Sequence, residues 1–205
     1  KRPVIVGTGP AGLFAGLALA QAGLNPIIIE RGKALEWRLV DVGKFIKGWA
    51  LDSDSNIQFG EGWAGTFSDG KLYTMINDPR SQYVFEELVK AGAPEEILYT
   101  AKAHVGTDKL KLVVRNLRKK IISLGADIRF STCMTDMIIE NDVLKGIIVN
   151  ENEIIETDTL ILAIGHSARD TYEMIYAKWI KMVPKEFSMG VRIEHDANMI
   201  NRSQF

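Results

Sequence analysis

Gly7, Gly9 and Gly12 stand in the order Gly-x-Gly-x-x-Gly, directly after the β-branched run Val4–Val6 and at the head of the helix-forming stretch AGLFAGLALAQA at 11–22. Each glycine has a separate task. Gly7 permits a tight turn, Gly9 lets backbone reach a pyrophosphate, and Gly12 lets a helix and strand pack closely. Pro10 and Ala11 open the helix, whose free N–H groups and positive dipole end favour phosphate. Glu30 ends a second apolar run, PIIIE at 26–30, where a carboxylate can accept bonds from a ribose 2′-OH. Strand, glycines, helix, strand and acid in this register predict dinucleotide binding; a tight structural turn with a surface glutamate is the alternative. A carboxylate at Glu30 repels a 2′-phosphate and so disfavours NADP, whereas FAD and NAD both stay open on these residues alone.

A second group lies in TLILAIGHSARDT, 159–171. A buried-type strand ends at Gly165, with Ser167 as the expected cap of the next helix, again at the carboxyl end of a strand where open α/β sheets bind ligands. An ordinary β–α turn would read the same way. His166 is a candidate acid or base, or else a residue that positions the loop or bonds cofactor oxygens. Between the two groups, NIQFGEGWAGTFSDGKL at 56–72 packs Gly60, Gly62, Gly65 and Gly70 among Glu61, Thr66, Ser68 and Asp69. It is either a flexible connection or backbone shaped for close approach.

Other chemistry has less support. His104 and His195 are far apart, and no His/Asp/Glu spacing suggests a metal site. Ser68-Asp69 and Ser167 lack the Gly-x-Ser-x-Gly context of a hydrolase nucleophile. Arg192 and Glu194 alternate onto one face of an expected strand, facing substrate or forming an ion-paired edge. Cys133, the only cysteine, reads as a small buried hydrophobe.

The elements that must position these residues form an α/β pattern. Residues 81–91 predict an amphipathic helix capped by Ser81. Residues 106–125 predict a longer one, with Thr107 or Asp108 as N-cap and Gly125 as stop. Strand-like pieces follow at 127–131, 134–140, 143–149, 153–156 and 160–164, with Asn141-Asp142 and Glu151-Asn152 at two-residue turns. The middle pieces make an antiparallel meander, and the outer two join a parallel sheet beside the first β-α-β unit. A helix near 168–178 and a strand near 189–194 complete the pattern. Residues 35–80 show no clean period. The expected fold is a doubly wound parallel sheet, Rossmann-like, with an antiparallel β-meander.

Composition sets bounds on partners. Across 205 residues, 46% are hydrophobic, 25% are charged and the net charge is −1, ordinary values for a globular chain. A basic nucleic-acid face is not expected, and RNLRKK at 115–120 reads as a solvated helix face. No stretch approaches the roughly 18 apolar residues of a membrane span. One cysteine fits a reducing cytoplasm, and because the opening KRP runs straight into a strand, a signal peptide is not expected. Without an initiator methionine, and with NRSQF at its end, the chain is expected to be a fragment of a longer protein lacking both ends.

VIVGTGPAGLFAGLALA followed by IIIERG resembles the opening of the glutathione-reductase-type FAD-binding fold, and LILAIG resembles that fold's second FAD motif. NIQFGEGWAGTFSDGKL, HVGTDKL, AIGHSARDTYEM and FSMGVRIEH together resemble a bacterial family of FAD-dependent dehydrogenases, the NAD(FAD)-utilising dehydrogenases. The resemblance implies an FAD-dependent oxidoreductase in which Gly7, Gly9, Pro10, Ala11 and Gly12 hold the pyrophosphate and Glu30 and Arg31 lie at the adenosine ribose. It further implies a backbone group near Cys133 or Met134 at the adenine edge, and Gly165 and His166 beside the middle of FAD. Gly65, Thr66, Phe67 and Ser68 would lie near the flavin, with Arg38 near the phosphates. NAD(P)H is a candidate electron donor and a small molecule the expected substrate. The implied division is an FAD-binding domain at 1–34 and 100–180, including a meander at about 134–157. A flavin-side segment is inserted at 35–99, and a truncated substrate domain starts at 181–205. Trp63 departs from the family pattern, which has glycine there, and the family's closing Gly-Asp motif is not among these residues.

Overall fold

The computed structural model describes residues 1–68, 70–72, 78–187, 189–191 and 193–204. The first half contains β1 (Val4–Val6), α1 (Pro10–Gln21), β2 (Ile27–Ile29), α2 (Leu35–Ile46), a 3₁₀ turn at Ala64–Phe67 and α3 (Arg80–Lys90). A second 3₁₀ turn at Glu95–Leu98 leads into α4 (Thr107–Ser123), β3 (Asp127–Arg129), β4 (Met134–Glu140), β5 (Val143–Val149) and β6 (Glu153–Glu156). β7 (Leu160–Leu162), α5 (Arg169–Ala177) and α6 (Ala197–Gln204) follow.

Four parallel strands lie in the order β3-β2-β1-β7, and β4-β5-β6 form a separate antiparallel meander. Side chains alternate across a strand, and both faces of the parallel sheet are covered. Val4, Val6, Ile27 and Ile29 pack against Met134, Met137, Ile147, Val149 and Ile155 of the meander and Ile175 of α5. Ile5 and Ile28 face the other way, into the core shared by α1, α3 and α4. Burial on both sides explains why these strands are apolar runs rather than alternating ones. The chain leaves β1 for β2 on one side, and later pairs β7 on the other. The crevice at the carboxyl ends of β1 and β7 is therefore a topological switch point.

The expected α/β class and sheet are present, with differences in detail. Residues 35–46 form α2, where no clean period was legible. Its buried stripe is Leu35, Arg38 and Val42, and a buried arginine on that stripe breaks the hydrophobic period. Ser81 lies inside α3 rather than capping it; the Asp78 carboxylate accepts the Arg80 N–H at 2.8 Å. Gly106, with φ +86°, precedes α4 in place of a Thr107 or Asp108 cap. Ser167 makes no side-chain cap to α5, whose N-cap is Ala168. The β5–β6 turn sits one residue earlier than expected, with Asn150 and Glu151 at φ +49° and +67°. Among the described residues of 189–194 no strand forms, and Met189, Val191 and Ile193 stay exposed. Asp69 and Arg192 lie outside the described residues.

Candidate functional site

The turn after β1 is built so that only glycine fits. Gly7 has φ +105°, and a Cβ there would come within 2.4 Å of the Ala163 carbonyl oxygen before the second glycine turn. A Cβ on Gly12 would lie 1.9 Å from the Gly7 carbonyl oxygen. These contacts bring α1, β1 and the end of β7 together. Gly9 is the N-cap of α1 and Pro10 follows, with no side-chain cap and no acidic residue in the first turn. The helix N-terminus is thus left available to an anion.

A cleft of about 450 Å³ opens here, within the usual range for ligand sites. Gly7, Gly9, Pro10 and Ala11 line it from the first turn, Glu30 and Arg31 from the end of β2, Met134 from β4 and Gly165 from beyond β7. Gly12 is not in the lining; it acts through packing. Gly60, from the glycine-rich stretch, forms a further wall with Gln58 and Phe59, to which no separate role was assigned from the sequence; Thr171 and Tyr172 of α5 were not singled out. Tyr172 donates its hydroxyl to the Gly165 carbonyl at 2.7 Å. A Tyr seven residues after a glycine turn was the one available signal, because one to two helical turns bring it back over that turn.

Glu30 is buried, and the protein itself engages both its oxygens. One accepts the Thr8 N–H at 2.9 Å and the Thr8 hydroxyl at 2.8 Å; the other accepts the Gly32 N–H at 2.9 Å and the Gly60 N–H at 3.2 Å. A carboxylate has about four acceptor positions, so a ribose hydroxyl must share or replace one of these bonds. Arg31 donates to both Asp170 oxygens at 2.9 and 2.7 Å and to the Thr171 hydroxyl at 3.2 Å, with Phe59 under its guanidinium. Burial raises the Asp170 carboxyl, but the Arg31 bond and charge outweigh this and hold it below the usual range. The Cys133 N–H donates to the Asn150 side-chain oxygen at 2.9 Å.

Arg38 does not reach the cleft. It is fully buried, and its guanidinium donates to the carbonyls of Asn56, Ile57, Glu61 and Trp63 at 2.6–2.9 Å. It shapes the 56–63 wall from behind, stacked on Phe67 at 4.8 Å. Burial pulls it down to about 10, against the pull of Glu30 and Glu61. Gly65, Thr66 and Ser68 border a different cavity of about 440 Å³, which shares only Pro10 and Ala11 with the cleft.

Glu61 stood in the glycine-rich stretch without a role of its own. Its carboxylate caps α2 by accepting the Leu35 N–H at 2.7 Å and meets Arg118 at 3.0 Å, while its Oε1 is buried with no partner among the described residues. Burial pushes this carboxyl up to about 7 from 4.5. The folded state therefore keeps a proton that the unfolded chain releases between those values. The stabilisation is complete below pH 4.5 and is lost as pH rises through about 7. The loss is on the order of 3 kcal/mol. Urea midpoints should fall between pH 5 and 7.5, and Glu61→Gln should flatten that fall; a Gln variant with the parental slope would refute the assignment.

Trp63 spans the two glycine turns. It holds φ +53° with ψ −163°, a region that is essentially glycine's own and costs a residue with a side chain about 1–3 kcal/mol. A Cβ on Gly9 would meet Trp63 Cβ at 3.5 Å, and one on Gly165 would meet its Nε1 at 3.8 Å. The exposed His166 packs edge-on against the indole, with ring centroids 5.5 Å apart. No helix among the described residues is long and apolar enough to cross a membrane.

Comparison with known proteins agrees with this geometry. The chain is 51% identical over 204 residues to an uncharacterized protein of Clostridium beijerinckii, covering all of this chain and 38% of that one. The structure of Thermovibrio ammonificans THI4 superposes with a TM-score of 0.57 at 17% identity, over 88% of this chain and 64% of that one. L-proline dehydrogenase from P. horikoshii gives a TM-score of 0.57 at 16% identity, over 87% and 56% of the two chains. These two likenesses establish the fold. Residues 2–40, from β1 through the glycine turn and Glu30 into α2, match the family described as FAD binding domain, and FAD is the dinucleotide this match assigns to the chain.

Proposed function

We propose that this chain is the FAD-holding part of a bacterial, cytoplasmic flavin-dependent oxidoreductase that acts on a small molecule, with NAD(P)H as a candidate electron donor. The observation that carries the reading is the convergence of two glycine turns, the uncapped N-terminus of α1 and the Glu30–Arg31 pair on one cleft. The lining suits a dinucleotide: the first turn has no room for a Cβ, and Gln58 Nε2 is a buried donor with no partner among the described residues. When bound, FAD supplies the hydride or electron transfer, and the protein supplies binding, orientation and electrostatics.

In this reading Gly9, Pro10 and Ala11 hold the diphosphate at the start of α1, with Gly7 and Gly12 keeping the turn tight. Glu30 and Arg31 lie at the adenosine ribose, Met134 beside the adenine, and Gly165 and His166 at the middle of the cofactor. The 65–68 backbone stands toward the flavin end. Residues 1–34 and 100–180 constitute the FAD-binding domain, 35–99 its flavin-side segment, and 181–205 the start of a substrate domain. The match to an FAD binding domain and the shared fold of a dehydrogenase support oxidoreductase chemistry. An absorption spectrum tests it. The purified full chain should show oxidised-flavin bands, alone or after adding FAD, that bleach with NADH. A colourless preparation that takes up no FAD would overturn the proposal, and flavin that no reductant bleaches would favour a non-catalytic dinucleotide module.

A further inference from the structure

Resting on the FAD reading above, we infer that the Trp63 indole is a gate across the diphosphate passage of the cleft, closed in this structure and opened by rotation of its side chain. A diphosphate held at the start of α1 must pass between the turn at Gly9 and the turn at Gly165. The side chain spans them: its Cβ, the fixed hinge, lies 3.5 Å from where a Cβ on Gly9 would stand, and the free edge of the indole, at Nε1, lies 3.8 Å from where one on Gly165 would stand. Its edge contact with His166, at an interplanar angle of 87°, completes the closure.

The backbone is pinned and the ring is not. The Trp63 N–H donates to the Gly60 carbonyl at 2.9 Å. Its carbonyl accepts from Arg38 at 2.9 Å and from the Thr66 N–H at 3.1 Å. Among the described residues the indole N–H has no hydrogen-bond partner. Rotating the side chain therefore breaks one ring contact, whereas moving the loop would break the Arg38 network. The gate also discriminates. The end of the cleft at Glu30, Arg31 and Met134 can take an adenosine with the indole in place, whereas ADP and FAD require it to leave.

A ligand that needs a minor open state binds more weakly by the open fraction, so a largely closed gate weakens FAD binding about tenfold or more. Calorimetric titration of the full chain with FAD and with adenosine tests this in the parent and in Trp63→Gly, which suits the positive φ. The expected result is FAD binding about tenfold tighter in Trp63→Gly, with adenosine affinity unchanged. Stopped-flow FAD binding to the parent should saturate with ligand concentration, as a rate-limiting opening requires, and this needs no variant. Equal FAD affinities in the two proteins, or weaker binding by Trp63→Gly with its fold intact by circular dichroism, would overturn the gate alone. Absence of FAD binding by both proteins would overturn the cofactor reading, and the gate with it.

Discussion

Replacing Arg38 by methionine is expected to destabilise the chain by roughly 3–5 kcal/mol, the usual cost of removing one partner from a buried charged network. Methionine replaces much of the volume and none of the donors. Four carbonyls, those of Asn56, Ile57, Glu61 and Trp63, lose the group they converge on. Glu30 and Glu61 also lose the buried positive charge that balances them. The 56–63 wall forms no regular helix or strand, and the guanidinium takes the place of ladder hydrogen bonds there. Urea denaturation measures the global loss, and hydrogen exchange should show the wall opening before the parallel sheet. A loss below about 1 kcal/mol, typical of a surface substitution, would mean that the wall holds its shape without Arg38.

Gly12→Ala should cost about 3 kcal/mol, at the upper end for inserting a methyl into a packed site. It should also remove measurable dinucleotide binding. The added carbon would sit 1.9 Å from the Gly7 carbonyl oxygen and 2.8 Å from its carbon. These are backbone atoms that cannot rotate away, so α1 must lift off the turn and carry its N-terminus out of the cleft. Gly43→Ala is the matched control. Gly43 lies within α2 and a Cβ there meets nothing within 4 Å, so the same chemical change should stabilise by about 0.5–1 kcal/mol. Opposite signs in the two thermal midpoints would attribute the Gly12 effect to contact rather than to helix propensity. A mild Gly12→Ala with binding retained would show that the turn can relax.

What was legible in the sequence was what short stretches determine. Gly7, Gly9 and Gly12 with their flanking strand and helix announce a β-α-β dinucleotide unit, because each glycine answers a torsional or contact demand within a few residues of itself. The meander was legible for the same reason: Asn141 and Asp142 adopt φ +50° and +61° between alternating strands. α2 was hidden because its inward stripe carries Arg38, and a charge at a core position looks like surface until its partners are known. Those partners lie 18–25 residues further along.

The tertiary structure alone decided the uses of the charged and bulky residues. Glu30 was identifiable as the acid after the second strand, but four donors from three separate segments converge on it. Gly65, Thr66 and Ser68 belong to the glycine-rich loop, and only the fold set them on a second cavity that meets the cleft at Pro10 and Ala11. Trp63 was visible as an indole where a glycine is usual, and only the fold laid it across Gly9 and Gly165. Backbone torsion and hydrophobic period are local and leave marks at fixed spacings. A buried polar network or a ring between two turns depends on which distant segments meet, and that is settled when the sheet, the meander and the helices close on one another.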